Sequence, residues 1–251
     1  DFSAHIQKVE AQQGQTPLAI EKIDKQTWYI TAHGAVTIQY ATYWDEPGPF
    51  GTQLNQEHAF INPAMILMYV PERRSEEVTI GLMEVPDVWE AAGPGIQMIE
   101  QMGKARRFSS KFENYDALVD APIEAGKIEE FKLEGIAPEI WVEVHGDNGK
   151  KKQIESDLKR ICEYEINLMG GAPYARYTFV LHVGKGAAGA GGGMEHADST
   201  AISVPSGEYL PSLAAHEFFH LWNVKRIRPA TLYPVDSGKE QNQRPPGVAG
   251  G

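Results

Sequence analysis

Short apolar segments of strand length dominate the first half of the chain. Residues 26–31 and 36–43 are rich in β-branched and aromatic side chains, and a turn that contains glycine separates them. Residues 65–70 and 77–82 continue the pattern, with a polar turn between them. Runs of this length, bounded by Gly and Pro, are typical of β-strands. The pattern therefore predicts that residues 1–134 form an all-β unit, either a sandwich or an open sheet.

Helical spacing enters the pattern beyond residue 135. Residues 140–145 and 177–183 are apolar and β-branched, which predicts two further strands. Between them, residues 150–169 place most of their apolar side chains at steps of three or four, as an amphipathic helix does. Gly170 and Gly171 follow, and glycine is the usual residue just past a helix C-terminus.

One pentapeptide, residues 216–220, reads His-Glu-Phe-Phe-His and matches the motif H-E-x-x-H. It lies in residues 211–224, which are compatible with a helix that begins near a proline. His216 and His220 then lie one turn apart on the same face, so their imidazoles can bind one Zn²⁺ ion. Glu217 lies beside them and can reach a water molecule on the same ion. The motif predicts a zinc-dependent hydrolase. The alternative interpretation is that the two histidines are core residues hydrogen-bonded to the backbone.

Composition and charge exclude several other classes. The formal net charge of the 251 residues is −11, which argues against nucleic acid or an anionic membrane as a partner. Cys162 is the single cysteine, which excludes an internal disulfide framework and a cysteine-rich zinc site. No apolar run approaches the roughly 20 residues that cross a bilayer. We expect a soluble chain without a signal peptide, and the sequence predicts neither its compartment nor its oligomeric state.

The glycine-rich residues 184–193 precede a second candidate position. Residues 184–189 match G-x-G-x-x-G, but the glycines that follow disfavour the helix that a dinucleotide site requires. Gly192 and Gly193 permit close approach of the backbone to a ligand, and Glu195 adds a negative charge. In an exopeptidase this charge could pair with the α-ammonium group of a substrate. The ordinary alternative is an exposed glutamate in a loop.

Three segments resemble the glycyl aminopeptidases, which are zinc metallopeptidases of the thermolysin-like gluzincin group. One is Gly-Gly-Met-Glu-His at residues 192–196, and another is the run from the first motif histidine through Leu-Trp-Asn-Val-Lys-Arg-Ile-Arg-Pro, residues 216–229. The third, residues 115–126, is similar to the segment that leads out of the N-terminal β-domain of the family. The resemblance extends from the first residues to about Asp236.

The resemblance implies a role for each residue of the two central motifs. His216 and His220 would be zinc ligands, and Glu217 would be the general base. Glu195 would bind the free amino terminus of a peptide substrate, with Gly193 and Met194 lining the edge strand beside it. The implied activity is hydrolysis of the N-terminal residue from peptides, with a preference for Gly and sometimes Ala.

The resemblance also implies the domain organisation. We expect an α+β chain in which a β-rich domain, residues 1–134, is followed by the first part of a thermolysin-like zinc metallopeptidase domain, residues 135–236. We also expect residues 237–251 to form a flexible tail. By comparison with the family pattern, we expect the chain to be truncated at both ends.

The third zinc ligand is the main departure from the family pattern. Gluzincins take it from a glutamate on the next helix, and the candidate here, Glu240, lies in proline-rich surroundings that disfavour a helix. We therefore expect weak zinc binding and little activity from this chain alone, and turnover of Gly-p-nitroanilide by it would contradict that expectation. Three alternatives remain open, namely a metal-binding but catalytically incomplete fragment, a zinc endopeptidase, and a β-rich interaction domain without catalysis.

Overall fold

A computed structural model describes residues 2–146, 149–184, 191–205 and 210–227. Two compact units divide the chain, residues 1–45 and residues 46–251.

Residues 1–45 form a small antiparallel unit. Its three-stranded sheet has the order β2-β1-β5, and β3 pairs with β4 as a separate hairpin. A short 3₁₀ helix, Phe2–His5, precedes the first strand. The strands are β1 (Ile6–Gln13), β2 (Thr16–Pro17), β3 (Glu21–Lys22), β4 (Trp28–Tyr29) and β5 (Thr37–Thr42).

The first part of the second unit contains two antiparallel sheets, with the strand orders β10-β11-β8 and β6-β7-β12-β9. Two short helices and one 3₁₀ turn, Pro71–Arg73, connect their strands. The strands are β6 (Gln53–Leu54), β7 (His58–Ile61), β8 (Val78–Pro86), β9 (Glu90–Ala92), β10 (Gln97–Met102), β11 (Ala105–Phe112) and β12 (Ile123–Gly126). The helices are α1 (Pro63–Ile66) and α2 (Tyr115–Val119).

A five-stranded sheet and two helices form the second part of this unit. The strand order is β13-β14-β15-β17-β16, in which the three inner strands are parallel and both edge strands are antiparallel to their neighbours. The strands are β13 (Ile128–Lys132), β14 (Glu139–Gly146), β15 (Arg176–Val183), β16 (Gly192–Glu195) and β17 (Ser199–Val204). The helices are α3 (Lys151–Leu168) and α4 (Leu210–Phe219).

The two faces of the five-stranded sheet differ in chemistry. On one face, Leu158 of α3, Phe179 of β15 and Phe218 of α4 share a single apolar core, and each is fully buried. Side chains alternate along a strand, so the intervening positions point to the other face. Several of those positions are buried polar residues, among them His145 and His182. The H-E-x-x-H motif thus lies on the apolar side of the sheet, and a layer of polar residues lies on the other side.

The structure confirms the α+β class and the strand-rich first half of the chain, but the prediction for one segment is wrong. Residues 65–70 were predicted to be a strand, but α1 covers Pro63–Ile66 and the chain from 67 to 70 has no regular structure. Pro63 occupies the first turn of that helix, where its missing N–H costs nothing. Tyr115 donates its hydroxyl to the Leu67 carbonyl at 2.8 Å, which satisfies an acceptor that no strand partner reaches.

The two predicted helices are present, although the second is shorter than expected. The helix predicted over 150–169 is α3, whereas the one predicted to reach residue 224 ends at Phe219. Residues beyond it form turns, and Val224 has a φ of 92°, a conformation that no helix contains. Among the described residues, no helix is long and apolar enough to span a bilayer. The domain boundaries predicted near 134 and 236 stay predictions.

Replacing Leu158 by Ala is expected to lower the free energy of unfolding by about 2–5 kcal/mol, because the side chain is fully buried in the shared core. Leu168 lies on the same helix and is 60% exposed, so Leu168→Ala is the matched control, with an expected change within about 0.5 kcal/mol. Urea unfolding followed by circular dichroism measures both. Equal losses for the two variants would contradict the assignment of this core.

Candidate active site

Helix α4 places the H-E-x-x-H motif by burying its apolar face in the core. Phe218 packs edge-on against the rings of Tyr177 and Trp222, with ring centroids 5.0 and 5.5 Å away. Ala214 is fully buried on the same side. Because residues 216 and 220 project away from this anchored face, the packing of Phe218 and Ala214 fixes the orientation of the two histidines.

The two motif histidines face each other. Their Nε2 atoms lie 3.1 Å apart, and the rings meet edge to face with centroids 4.6 Å apart. Nδ1 of His220 donates to the Asn223 carbonyl at 3.2 Å, which leaves Nε2 of His220 as a lone-pair donor. Two lone pairs repel at this distance, so a proton or a cation between them suits the pair. A metal ligand commonly has its second ring nitrogen held in this way.

Glu217 lies beside the histidines and is almost completely buried, with 4% of its surface exposed. Its Oε2 atom has no hydrogen-bond partner among the described residues. Burial raises the pKa of its carboxyl, while His216 lowers it and Glu195 raises it further, and the net pKa lies above the ordinary value. A buried carboxylate oxygen without a hydrogen-bond partner is costly in free energy.

Strand β16 brings a second carboxylate to the helix. One ligand atom from each of Glu195, Glu217 and His220 lies within 4.8 Å of the others. A Cβ atom on Gly193 would overlap the Glu217 carboxyl group, so with any other residue here the strand or that carboxyl would have to shift. Met194 follows, half-buried, and its carbonyl accepts from the Thr200 hydroxyl at 2.9 Å. The structure therefore brings the residues predicted from the two motifs into one place.

The loop between β16 and β17 is held by a residue that sequence reasoning missed. Asp120 accepts from Nδ1 of His196 at 3.1 Å, from the Ala197 backbone N–H at 2.9 Å and from Lys225 at 3.0 Å. Arg226 donates to the Ala197 carbonyl at 3.2 Å from the same side. Lys225 and Arg226 thus tie the segment after α4 to the loop that follows Glu195. No sequence signal links residues this far apart.

Asp120 is expected to make this part of the protein sensitive to acid. Burial acts to raise the pKa of its carboxyl, but the His196 hydrogen bond and the Lys225 charge outweigh burial, so the pKa is lowered. A lowered folded-state pKa stabilises the protein above the unfolded value, 3.8, and this contribution is lost as the pH falls through the folded value. At neutral pH, Asp120→Asn should therefore lower the free energy of unfolding by about 1.5–3 kcal/mol, with a smaller difference at about pH 3.

Urea unfolding at the two pH values measures this difference. The matched control is Asp116→Asn, which removes an ion pair to Arg74 from a carboxylate that is 50% exposed. Its expected cost is below about 1 kcal/mol. A constant difference between Asp120→Asn and the unsubstituted protein from neutral to acid pH would contradict the role given to Asp120.

Three predicted features lie outside the described residues. They are the candidate third ligand Glu240, the predicted flexible tail at residues 237–251 and most of the glycine-rich motif at residues 184–189.

Solved structures with this fold include metallopeptidases. An aminopeptidase N family protein from Idiomarina loihiensis is 28% identical, with a TM-score of 0.81 over 95% of this chain and 43% of that one. An M1 zinc metallopeptidase from Deinococcus radiodurans is 14% identical, with a TM-score of 0.55 over 86% of this chain and 54% of that one. Aminopeptidase A of Legionella pneumophila, solved with aspartic acid, is 14% identical, with a TM-score of 0.58 over 87% of this chain and 29% of that one. The chain thus has the fold of part of a metallo-aminopeptidase.

The sequence matches family models at both ends of this fold. The model for the Peptidase M61 N-terminal domain matches residues 1–127, and the model for M61 glycyl aminopeptidase matches residues 210–248. The chain belongs to the M61 peptidase family, which confirms the resemblance seen in its motifs. No curated protein sequence matches it. The chain spans less than half the length of the Idiomarina protein.

Proposed function

We propose that the protein is a zinc aminopeptidase that removes the N-terminal residue from peptides, with a preference for Gly and sometimes Ala. The proposal rests on the position of Glu195, since one of its carboxylate oxygens lies within 4.8 Å of ligand atoms of Glu217 and His220. A hydrolase motif alone fits any metallopeptidase. A second carboxylate at this distance adds a charge that can bind the amino terminus of a substrate. The match to the M61 glycyl aminopeptidase model supports the preference for glycine.

The residues present fit a zinc ion. Two imidazoles with Nε2 atoms 3.1 Å apart supply nitrogen donors of the kind that zinc prefers, and a hydrogen bond to the Asn223 carbonyl orients one of them. His216 and His220 would hold the ion. The chemistry that zinc supplies when bound is polarisation of the scissile carbonyl and acidification of a water molecule.

Glu217 would handle the proton in this reaction. Its Oε2 atom is buried and has no partner in the described part of the chain, so it is free to accept a proton from the attacking water. The same carboxyl group can then pass the proton to the leaving nitrogen. Gly193 makes this possible, because its lack of a side chain leaves the space that the carboxyl group occupies.

Glu195 would fix the substrate by its α-ammonium group, and Gly193 and Met194 would line the strand beside it. β16 is the edge strand of its sheet, so a peptide can lie along it and pair with its backbone. A carboxylate at the end of that strand limits how far the peptide can advance. A peptide bound in this way would have its first peptide bond, and only that bond, next to the histidines.

The proposal is tested by hydrolysis of Gly-p-nitroanilide by a form of the protein that spans the full length of its relatives, because little activity is expected from these 251 residues alone. We expect turnover that is lost on chelation and restored by added zinc, and that is absent from His216→Ala. Turnover that survives chelation would rule out the metal-dependent mechanism.

Glu195→Gln should raise the KM for a free N-terminal peptide by roughly tenfold or more, because Gln keeps the shape of the side chain but loses the charge that pairs with the ammonium group. Hydrolysis of the N-acetylated peptide should be poor and should not change with the substitution. The control is Glu84→Gln, on a residue of β8 that is exposed. Equal rates for free and acetylated peptides would favour an endopeptidase and remove this role of Glu195.

A further inference from the structure

Four buried titratable residues meet on the polar side of the five-stranded sheet, away from the H-E-x-x-H motif. His58 of β7 and Glu124 of β12 come from the four-stranded sheet, while His145 of β14 and His182 of β15 come from the five-stranded one. Their exposed fractions are 1%, 0%, 6% and 1%. The proposed peptidase reaction uses none of them. A buried group of this kind is costly unless its polar atoms are satisfied.

Three of the four residues point ligand atoms at one another. One such atom from each of His58, Glu124 and His145 lies within 4.8 Å of the others. Nδ1 of His58 is hydrogen-bonded to Oε1 of Glu124 at 2.7 Å. Nδ1 of His145 is buried and has no hydrogen-bond partner in the described part of the chain. A buried lone pair in this position requires either a hydrogen-bond donor or a cation. A cation could be bound by the imidazoles and the carboxylate together.

The atoms of the same residues that point outward are held in place. Nε2 of His58 is hydrogen-bonded to Oε1 of Gln53 at 2.9 Å. The second carboxylate oxygen of Glu124 accepts from Nε2 of His182 at 2.9 Å, and the Ser203 hydroxyl lies 3.5 Å from the other nitrogen of His182. Ligands of a protein-bound metal are usually oriented by such outer partners. The network therefore resembles a ligand set together with its supporting layer.

The two sequence neighbours of His145 line a surface cavity. Burial lowers the pKa of its imidazole, and a hydrogen bond to the Lys127 backbone opposes this shift. A cavity of about 520 Å³ is lined by Lys127 and by Val144 and Gly146, the two neighbours of His145 in sequence. The backbone on either side of His145 therefore borders this cavity, while the side chains of the cluster lie buried behind it.

We propose that His58, Glu124 and His145 form a second metal site, which binds a divalent transition ion such as Zn²⁺ and joins the four-stranded sheet to the five-stranded one. Two imidazole nitrogens and one carboxylate oxygen are a donor set that suits zinc. Ligand distances of about 2.0–2.2 Å place atoms that share one zinc ion about 3–4 Å apart, so a small contraction closes the group.

Binding also requires one change in the arrangement of the rings. His58 and His145 stack with centroids 3.9 Å apart and an angle of 4° between their planes. A metal lies in the plane of each imidazole that it binds, so one ring must tilt out of the stack. The site is expected to be structural, because all three ligands are buried and none lies at the proposed peptidase centre.

The test separates this site from the peptidase site by removing the latter. In the whole protein, the double variant His216→Ala with His220→Ala is loaded with zinc, dialysed and measured by mass spectrometry of its metal content. We expect about one zinc ion to remain per chain and the melting temperature to rise on zinc addition. Adding His145→Gln should weaken zinc binding by more than about 100-fold. Adding His182→Asn, the matched control on an outer partner, should weaken it less, by about 10–100-fold.

Two results would overturn the proposal. One is a double variant that retains no zinc, which would show that the cluster is a hydrogen-bonded network of protein groups alone. The other is an unchanged zinc affinity after His145→Gln. If His145→Gln does not fold, X-ray absorption of the zinc-loaded double variant decides, because the proposal requires scattering from imidazole ligands. Failure of either kind leaves the proposed peptidase activity unaffected, since that activity is assayed with His216 and His220 in place.

Discussion

Glu217→Gln is expected to reduce peptide hydrolysis by about 10²–10⁴-fold while leaving bound metal in place. Glutamine has the same shape as glutamate but cannot accept the proton of the attacking water. The side chain is buried and its Oε2 atom has no partner in the part of the chain that the structure describes, so this oxygen is available to take the proton. The histidines are untouched, and metal content should be that of the unsubstituted protein.

Steady-state rates with Gly-p-nitroanilide and metal analysis of the same samples measure this effect. Glu163→Gln is the control, because Glu163 is an exposed residue on helix α3. Loss of activity together with loss of metal would mean that Glu217 serves as a ligand rather than as a base. Retained activity would remove it from the mechanism.

Gly193→Ala is expected to lower the rate of hydrolysis by roughly 10²-fold, because it displaces a catalytic group without removing one. The new methyl group would occupy the space of the Glu217 carboxyl, so either the carboxyl or the edge strand must move. Because both Glu217 and Glu195 depend on this approach, the substitution should affect turnover and substrate binding together. A displacement near 1 Å at a catalytic group has a cost of this order.

The control for steric effects is Gly81→Ala in strand β8. A Cβ atom at Gly81 would meet its nearest neighbour at 3.8 Å, an ordinary contact, so neither activity nor stability should change appreciably. A crystal structure of Gly193→Ala would show which element has moved. Full activity in this variant would mean that the Glu217 side chain does not occupy the described position during the reaction.

The sequence was sufficient for the features that are local in the chain. The spacing of apolar residues predicted α3, and the H-E-x-x-H pentapeptide identified a helix face, because both depend on residues within a few positions of one another. The glycines at 192 and 193 indicated a close approach of the backbone. Only the structure shows that the approaching group is the Glu217 carboxyl.

Features that depend on distant pairing were beyond the sequence. Asp120 reaches Lys225 across 105 positions, and Glu124 reaches His182 across 58. No periodicity connects such residues, because the sheet order that brings them together is not encoded in any one segment. The wrong strand at residues 65–70 has a related cause. A short apolar run fits a strand and a buried helix equally well, and its surroundings decide between them.

The position of β16 at the rim of its sheet also has a consequence for solubility. An open strand edge that can receive a peptide can equally receive the same edge of a second copy, which is how many sheets begin to aggregate. Among the described residues, β16 pairs only with β17, yet it has just four residues and begins with two glycines. So short a strand gives a second copy few backbone bonds, while a peptide with a free amino terminus would gain an additional ionic contact at Glu195. Whether β16 pairs with a peptide or with a second copy would then depend on the charge at the end of the strand. Replacing Gly192 or Gly193 by Ala or Val should increase self-association as well as impair catalysis.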